Sequence, residues 1–217
     1  MDTRTKEAVR YLGYGKHAVD DGTLALIAES FADLRKVAEQ KSIYRIFALS
    51  HGETGGAGRL AIGGLQLESR NLAKNLKGCG EAALFAATLG VGVDRLIRRA
   101  EITNMAKAVV LQACAAAYLE EYCDACQERI AREARREGKY LRPRFSPGYG
   151  DFSLSYQAGI MRMLDCAKQI GLTMTDGCLM TPIKSVTAVI GIGTVGAACH
   201  QGGCGACRKR DCLYRRD

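Results

Sequence analysis

Two short stretches hold the residues of this chain whose types and spacing suit chemistry. The first is Arg142-Pro143-Arg144-Phe145-Ser146-Pro147-Gly148-Tyr149-Gly150-Asp151, which gathers two of the three prolines and two glycines between two helical patterns. Proline fixes φ and removes an amide donor, so this run reads as a fixed, non-repeating turn whose remaining main-chain groups can face a ligand. Gly148 lets the backbone approach a ligand closely, Arg144 carries a planar fork of donors matched to a carboxylate, and Tyr149 adds an aromatic face tipped by a hydroxyl. Taken alone, an ordinary helix-to-helix connection is the plainer reading of such a run.

The second stretch is Cys199-His200-Gln201-Gly202-Gly203-Cys204-Gly205-Ala206-Cys207-Arg208-Lys209-Arg210-Asp211-Cys212, spaced C-x4-C-x2-C-x4-C. Its glycines allow a short loop to wrap one ion or cluster, and Cys199, Cys204, Cys207 and Cys212 are the candidate ligands. Arg208, Lys209, Arg210, Arg215 and Arg216 would lower thiol pKa values and offset the charge of a tetrathiolate. Zinc would give a structural tail and an iron–sulfur cluster an electron relay. The cluster is preferred, because C-x4-C-x2-C is similar to the plant-type ferredoxin spacing, although there the fourth cysteine lies much farther away. A disulfide pair or uncommitted thiols is the third reading, and His200 is a polar loop residue or a substitute ligand. The other close pair, Cys123 and Cys126, falls inside a helical pattern, where small packing thiols are the expectation rather than a redox motif.

The elements that must position these residues follow from length and periodicity. A chain of 217 residues is long enough for one well-buried domain with a small appendage, here 1–195 and 196–217. Tryptophan is absent and aromatics are few, so neither a base-stacking nucleic-acid surface nor a membrane protein is indicated. No apolar run approaches a membrane span, no export signal follows the charged first residues, and ten cysteines then read as thiols or ligands in a reducing cytoplasm. Of the net charge of +8, residues 128–144 hold +4, from seven basic and three acidic side chains. Such a patch suits nucleic acid, an acidic protein partner, or simply a solvated helix end.

Residues 5–15 are short and end in a turn, while 20–40 carry a capping cluster and then Leu24, Ile27, Phe31, Leu34 and Val37 at helical steps. Residues 42–49 read as a strand, the glycine-dense 51–58 as a hairpin loop lacking the Gly-Lys-Ser/Thr ending of a phosphate cradle, and 60–67 as the return strand with Gly63-Gly64 as a bulge or close approach. Residues 69–76 and 93–100 are helical, and 81–88 is an apolar segment open to either strand or helix. The longest periodic stretch runs from 102 to about 137, with Met105, Val109, Ala113, Ala116, Leu119 and Cys123 assigned to its core face and Lys107, Glu120, Glu121 and Glu128 to the others. A second amphipathic helix is expected over 153–170, followed by antiparallel strands over 173–181 and 184–192.

The order of these pieces carries a resemblance. Arg144-Phe145-Ser146-Pro147-Gly148-Tyr149, a helix, Leu172-Thr173-Met174-Thr175-Asp176, and Met180-Thr181-Pro182-Ile183-Lys184-Ser185-Val186 resemble the reactivation domain of cobalamin-dependent methionine synthase. That family has an Arg-x-x-Pro-Gly-Tyr turn, a helix, a Leu-Thr-Glu-like strand and a Met-x-Pro-x-x-Ser-Val segment. The likeness is specific over about 105–192 and favours a strand for 81–88.

The resemblance implies an α+β fold, with a curved antiparallel sheet packed by long helices, and a turn that binds S-adenosylmethionine. It implies that Arg144 meets the carboxylate region of that cofactor, that main-chain groups around Pro147 and Gly148 shape the pocket, and that Tyr149 borders the methyl near a corrin. A glutamate on the long helix also contacts the cofactor in the relatives, and Glu120 and Glu121 both lie near its position. The family's Tyr-Pro-Ala-Cys is replaced here by Tyr149-Gly150-Asp151, and its strand glutamate by Asp176. No Asp-x-His-x-x-Gly cobalamin motif is present. The expectation is therefore a detached reactivation subunit that supports reductive methylation of cob(II)alamin on a synthase core in trans. The basic patch then docks an acidic electron donor, flavodoxin or ferredoxin, or the synthase itself. The alternative class is a module that senses S-adenosylmethionine without methyl transfer.

Overall fold

The computed structural model describes residues 1–15, 17–52 and 58–194. In chain order the elements are α1 (Thr3–Tyr11), α2 (Asp21–Val37), β1 (Lys41–His51), β2 (Arg59–Ile62), β3 (Leu65–Glu68), α3 (Arg70–Asn75), β4 (Glu81–Thr88), α4 (Val91–Thr103), α5 (Met105–Arg136), β5 (Tyr140–Leu141), α6 (Tyr156–Leu164), α7 (Cys166–Ile170), β6 (Thr173–Met174), β7 (Met180–Thr181) and β8 (Ser185–Gly193). The described residues divide into two units, one from Met1–Gln40 and Leu89–Ala125, the other from Lys41–Thr88 and the residues after Ala125.

The first unit is helical. Asp20 caps α2 by accepting the Thr23 amide at 2.9 Å, and Ile27, Phe31 and Leu34 are buried at the predicted three- and four-residue steps. The long helix read from 102 to about 137 is present as α5, with its start moved to Met105 because residues 102–103 close α4. At Asn104 the chain leaves helical geometry, and its side chain accepts the Lys107 amide at 3.0 Å to start α5 afresh. The predicted core face of α5 holds at Ala113, Leu119 and Cys123, which are buried, and fails in its first turns. Met105 and Val109 are exposed, whereas Ala108, Val110, Leu111, Ala113, Cys114, Ala115, Ala117 and Leu119 are buried. Lys107 bridges Glu29 and Asp33 at 2.6 and 2.8 Å, and Glu121 takes a two-pronged pair from Arg4 at 2.6 and 2.7 Å.

The second unit is an open antiparallel sheet in the order β3-β2-β1-β4-β8-β5, the α+β class expected. β4 reads Glu-Ala-Ala-Leu-Phe-Ala-Ala-Thr because both its faces are covered, which removes the polar alternation of a one-sided strand. On one face, Leu49, Ala82, Leu84, Ala86 and Val189 join a core with Leu72, Phe152, Ile160, Leu164, Ile170 and Leu172. On the other, Ser42 meets the Cys126 thiol at 3.3 Å and the Tyr44 hydroxyl donates to Glu133 on the last turns of α5. Cys126 and Cys123 are buried free thiols, as their mid-helix placement suggested.

Three elements depart from the periodic reading. Residues 60–67 are two strands, not one, since Gly63-Gly64 turns the chain so that Ile62 pairs with Leu65. The helix expected over 153–170 stops at Asp165, which takes left-handed backbone at φ 53°, and restarts as α7. Residues 173–181 pair only at their ends, as the β6–β7 hairpin outside the main sheet, so Asp176 sits in a turn rather than a strand.

Candidate functional site

The candidate turn is the continuation of an edge strand. After α5, Gly138 takes left-handed backbone at φ 68° and the Lys139 amide folds back onto the Ala134 carbonyl at 2.9 Å, closing the helix. β5 then pairs with the end of β8, the Arg142 amide donates to the Gly191 carbonyl at 2.8 Å, and Phe145 and Val189 exchange two amide bonds, each 2.9 Å. Pro143 interrupts this run where a ladder bond is dispensable, on an outer strand. The Arg142 guanidinium donates to the Lys77 carbonyl at 2.9 Å.

From Ser146 the chain leaves the sheet. The Tyr149 amide donates to the Ser146 carbonyl at 3.3 Å, the Gly148 amide to the Phe152 carbonyl at 2.7 Å, and the Phe152 amide to the Tyr149 carbonyl at 3.0 Å. Gly148 has φ 94°, which lies beyond the left-handed pocket that side-chain-bearing residues reach. Phe152 is buried and sets its ring 5.6 Å from Tyr156 and 6.2 Å from Phe145, so an aromatic cluster underpins the turn.

Asp151 fixes the far end. Its Oδ1 accepts the Ser69 hydroxyl at 2.5 Å and the Asn71 amide at 3.1 Å, and its Oδ2 accepts the Arg70 amide at 2.8 Å, all at the start of α3. The Ser69 hydroxyl first, and then the Asn71 and Arg70 amides, hold its carboxyl below the ordinary aspartate value. A Cβ at Gly150 would collide with the Asn71 Nδ2 and lie 3.1 Å from its Cγ, so the Asn71 side chain would have to shift.

On this frame Arg144 is half-buried and donates from Nη1 to the Gln127 Oε1 at 2.9 Å, Pro147 is buried, and Tyr149 is 68% exposed. The four residues predicted for the site are thus consecutive parts of one anchored turn. The arrangement suits a ligand with a carboxylate for the arginine fork and a face for the tyrosine ring. Sequence reasoning missed Gln127, Ser69 and the anchoring role of Asp151. The Ser69 hydroxyl caps α3 by accepting the Leu72 amide at 3.0 Å and also donates to Asp151; neither role was read from the sequence. Of the two helix glutamates, Glu121 is engaged by Arg4, and Gln127 is an α5 side chain that meets Arg144.

Cys199, Cys204, Cys207 and Cys212 lie outside the described residues, as does His200. Among the described residues no cluster of three or more His, Cys, Asp or Glu is arranged to hold a metal, and no helix is long and apolar enough to cross a membrane.

A family profile described as vitamin B12 dependent methionine synthase, activation domain, matches residues 76–197. That is more than half of the 217 residues. The chain belongs to this family. Within the activation domain the match takes in β4, α4, α5, the anchored turn and β8, so the turn lies inside the family region and β1 to β3 precede it. Among solved structures, the fold is similar to a crystal structure of the MetH reactivation domain bound to AdoHcy. The TM-score is 0.57 at 17% identity, over 86% of this chain and 75% of that one. No curated protein matches the chain.

Proposed function

We propose that the Arg144–Tyr149 turn of this activation domain binds S-adenosylmethionine, and that the chain works as a stand-alone reactivation subunit for a cobalamin-dependent methionine synthase core. The observation that carries the reading is the anchored turn, with a half-buried arginine fork and an exposed tyrosine ring on backbone that Phe145, Phe152 and Asp151 tie down. The donor set fits a sulfonium amino acid. Arg144 would take the carboxylate, main-chain groups around Pro147 and Gly148 would line the pocket, and Tyr149 would border the methyl on the solvent side. The MetH domain of similar fold was crystallised with AdoHcy, the product of methyl donation, which supports the same ligand class here.

When bound, S-adenosylmethionine would supply the methyl group for a partner's corrin already reduced by one electron from a donor, with S-adenosylhomocysteine as the leaving group. The chain's own contribution is positioning: a fixed turn raises the effective concentration of the methyl group and requires no acid, base or nucleophile from the protein. The exposed arginines Arg129, Arg132 and Arg136 are proposed as the dock for an acidic donor such as flavodoxin or ferredoxin. Cys199, Cys204, Cys207 and Cys212, in a proposed tail of 196–217 following a domain of 1–195, are assigned on spacing to an iron–sulfur cluster or zinc.

Calorimetric titration with S-adenosylhomocysteine tests the reading. The parent protein should bind, and Arg144→Ala should weaken binding by about 10- to 100-fold, the worth of one charge-assisted hydrogen-bond pair. No heat from the parent, or equal affinity in the variant, overturns it. Formation of methylcobalamin on a synthase core, given reductant, separates a reactivator from a sensor that binds and leaves cobalamin unchanged.

A further inference from the structure

The hydrogen bond between Arg144 and Gln127 joins residues that lie 17 apart in sequence, one on the last turns of α5 and one at the mouth of the turn. A guanidinium has five donors in a rigid plane, so one well-placed acceptor fixes the direction in which the rest of the fork points. Gln127 Oε1 sits 2.9 Å from Nη1 in a partly buried setting, where such a bond is stronger than in water. The acceptor stands on a long helix whose neighbouring residues Cys126 and Ile130 are buried, so its own position is set by the core. Glutamine orients the fork without adding a negative charge beside it. A glutamate at this position would keep the bond but compete, as an anion, with an incoming carboxylate.

We propose that Gln127 is a positioning residue for the Arg144 fork. Through it, Gln127 sets the preference of the turn for nucleosides carrying an amino-acid carboxylate over the same nucleoside without one. The inference rests on the nucleotide reading of the turn given above. It predicts a change in selectivity, which a residue of merely structural value would not produce.

The experiment titrates the full chain with S-adenosylhomocysteine and with methylthioadenosine, which shares the thioadenosine and lacks the carboxylate, for the parent, Gln127→Met and Gln127→Glu. The methionine variant, close in volume, should lose about tenfold in affinity for S-adenosylhomocysteine, the worth of one hydrogen bond to a charged group. Its affinity for methylthioadenosine should stay within about twofold. The glutamate variant should lose at least as much for the carboxylate ligand, and the loss should shrink as salt rises. Thermal melts of each variant report folding separately, and the ratio of the two affinities within one variant cancels any general loss of active protein. Parent protein that binds S-adenosylhomocysteine, with an unmoved ratio in both variants, overturns the role of Gln127 alone. Parent protein that binds neither ligand overturns the nucleotide reading and the Gln127 assignment with it.

Discussion

Replacing Gly148 by alanine isolates the backbone geometry on which the turn depends. Two effects compete. The added Cβ would lie 3.2 Å from Leu154 Cδ2, but Leu154 is half-exposed and can swing aside, so the steric part is small. The backbone is the larger cost, because φ 94° lies outside the left-handed region at about +50 to +70° that an L-residue tolerates, and such strain costs about 1–3 kcal/mol. Relaxing φ would forfeit the Gly148 amide bond to the Phe152 carbonyl, worth about 1 kcal/mol, and would swing Tyr149 away from its present direction. Either way Gly148→Ala should lose about 1–3 kcal/mol in urea unfolding, roughly 2–4 °C in melting temperature per kcal/mol for a chain of this size. If the turn relaxes, calorimetry should show weakened binding of S-adenosylhomocysteine; if it holds the strain, affinity should stay and stability should carry the loss. Gly138→Asn is the control, since φ 68° falls where asparagine is tolerated and a Cβ there meets open space. The reasoning fails if Gly148→Ala matches its parent within about 0.5 kcal/mol and within about twofold in affinity.

The Asp151 carboxylate is lowered by the Ser69 hydroxyl and the Asn71 and Arg70 amides, so the stability it adds is complete above the usual aspartate range and disappears as pH falls through its depressed value. Asp151→Asn should therefore flatten the acid limb of a melting-temperature profile between about pH 2 and 6, and an unchanged limb would show that the three bonds do not matter in solution. Burial pushes the Cys114 thiol up to about 12 and the Cys166 thiol up to about 11. Neither should be alkylated in native protein near pH 8, and both should react in urea; peptide mass spectrometry reads the outcome, and fast native labelling of Cys114 would refute its burial.

Much of this fold could be read from the chain, and the misreadings share physical causes. α2 was legible because Asp20 caps it and Ile27, Phe31 and Leu34 keep step; β1 was legible from its isoleucines and aromatics, and α3 as a short helical run. β4 was ambiguous, since a strand covered on both faces loses its alternation, and the family likeness decided it. The inward face of α5 was read correctly at Ala113, Leu119 and Cys123 but misassigned in its first turns, where alanine is small enough to pack on any side and Met105 and Val109 are exposed while Val110, Leu111 and Cys114 are buried. Gly63-Gly64 and Asp165 break elements without breaking the apolar rhythm on either side, so periodicity runs through both. The turn itself was legible from its prolines and glycines, whereas the ligand proposed for it came from the resemblance alone. Gln127 and Ser69 escaped because their partners lie 17 and 82 residues away, and no local pattern encodes such a meeting.

The short ladder from β5 through Phe145 to Val189 has a kinetic consequence. A loop that orders only when its ligand arrives must surrender main-chain freedom at that moment, and capture slows accordingly. Here the peptide groups are already spoken for on both flanks, so loading would restrict little beyond a few side-chain rotamers, about 0.5–1.5 kcal/mol for each one immobilised. Under the proposed function, a nucleotide held this way would arrive and depart quickly.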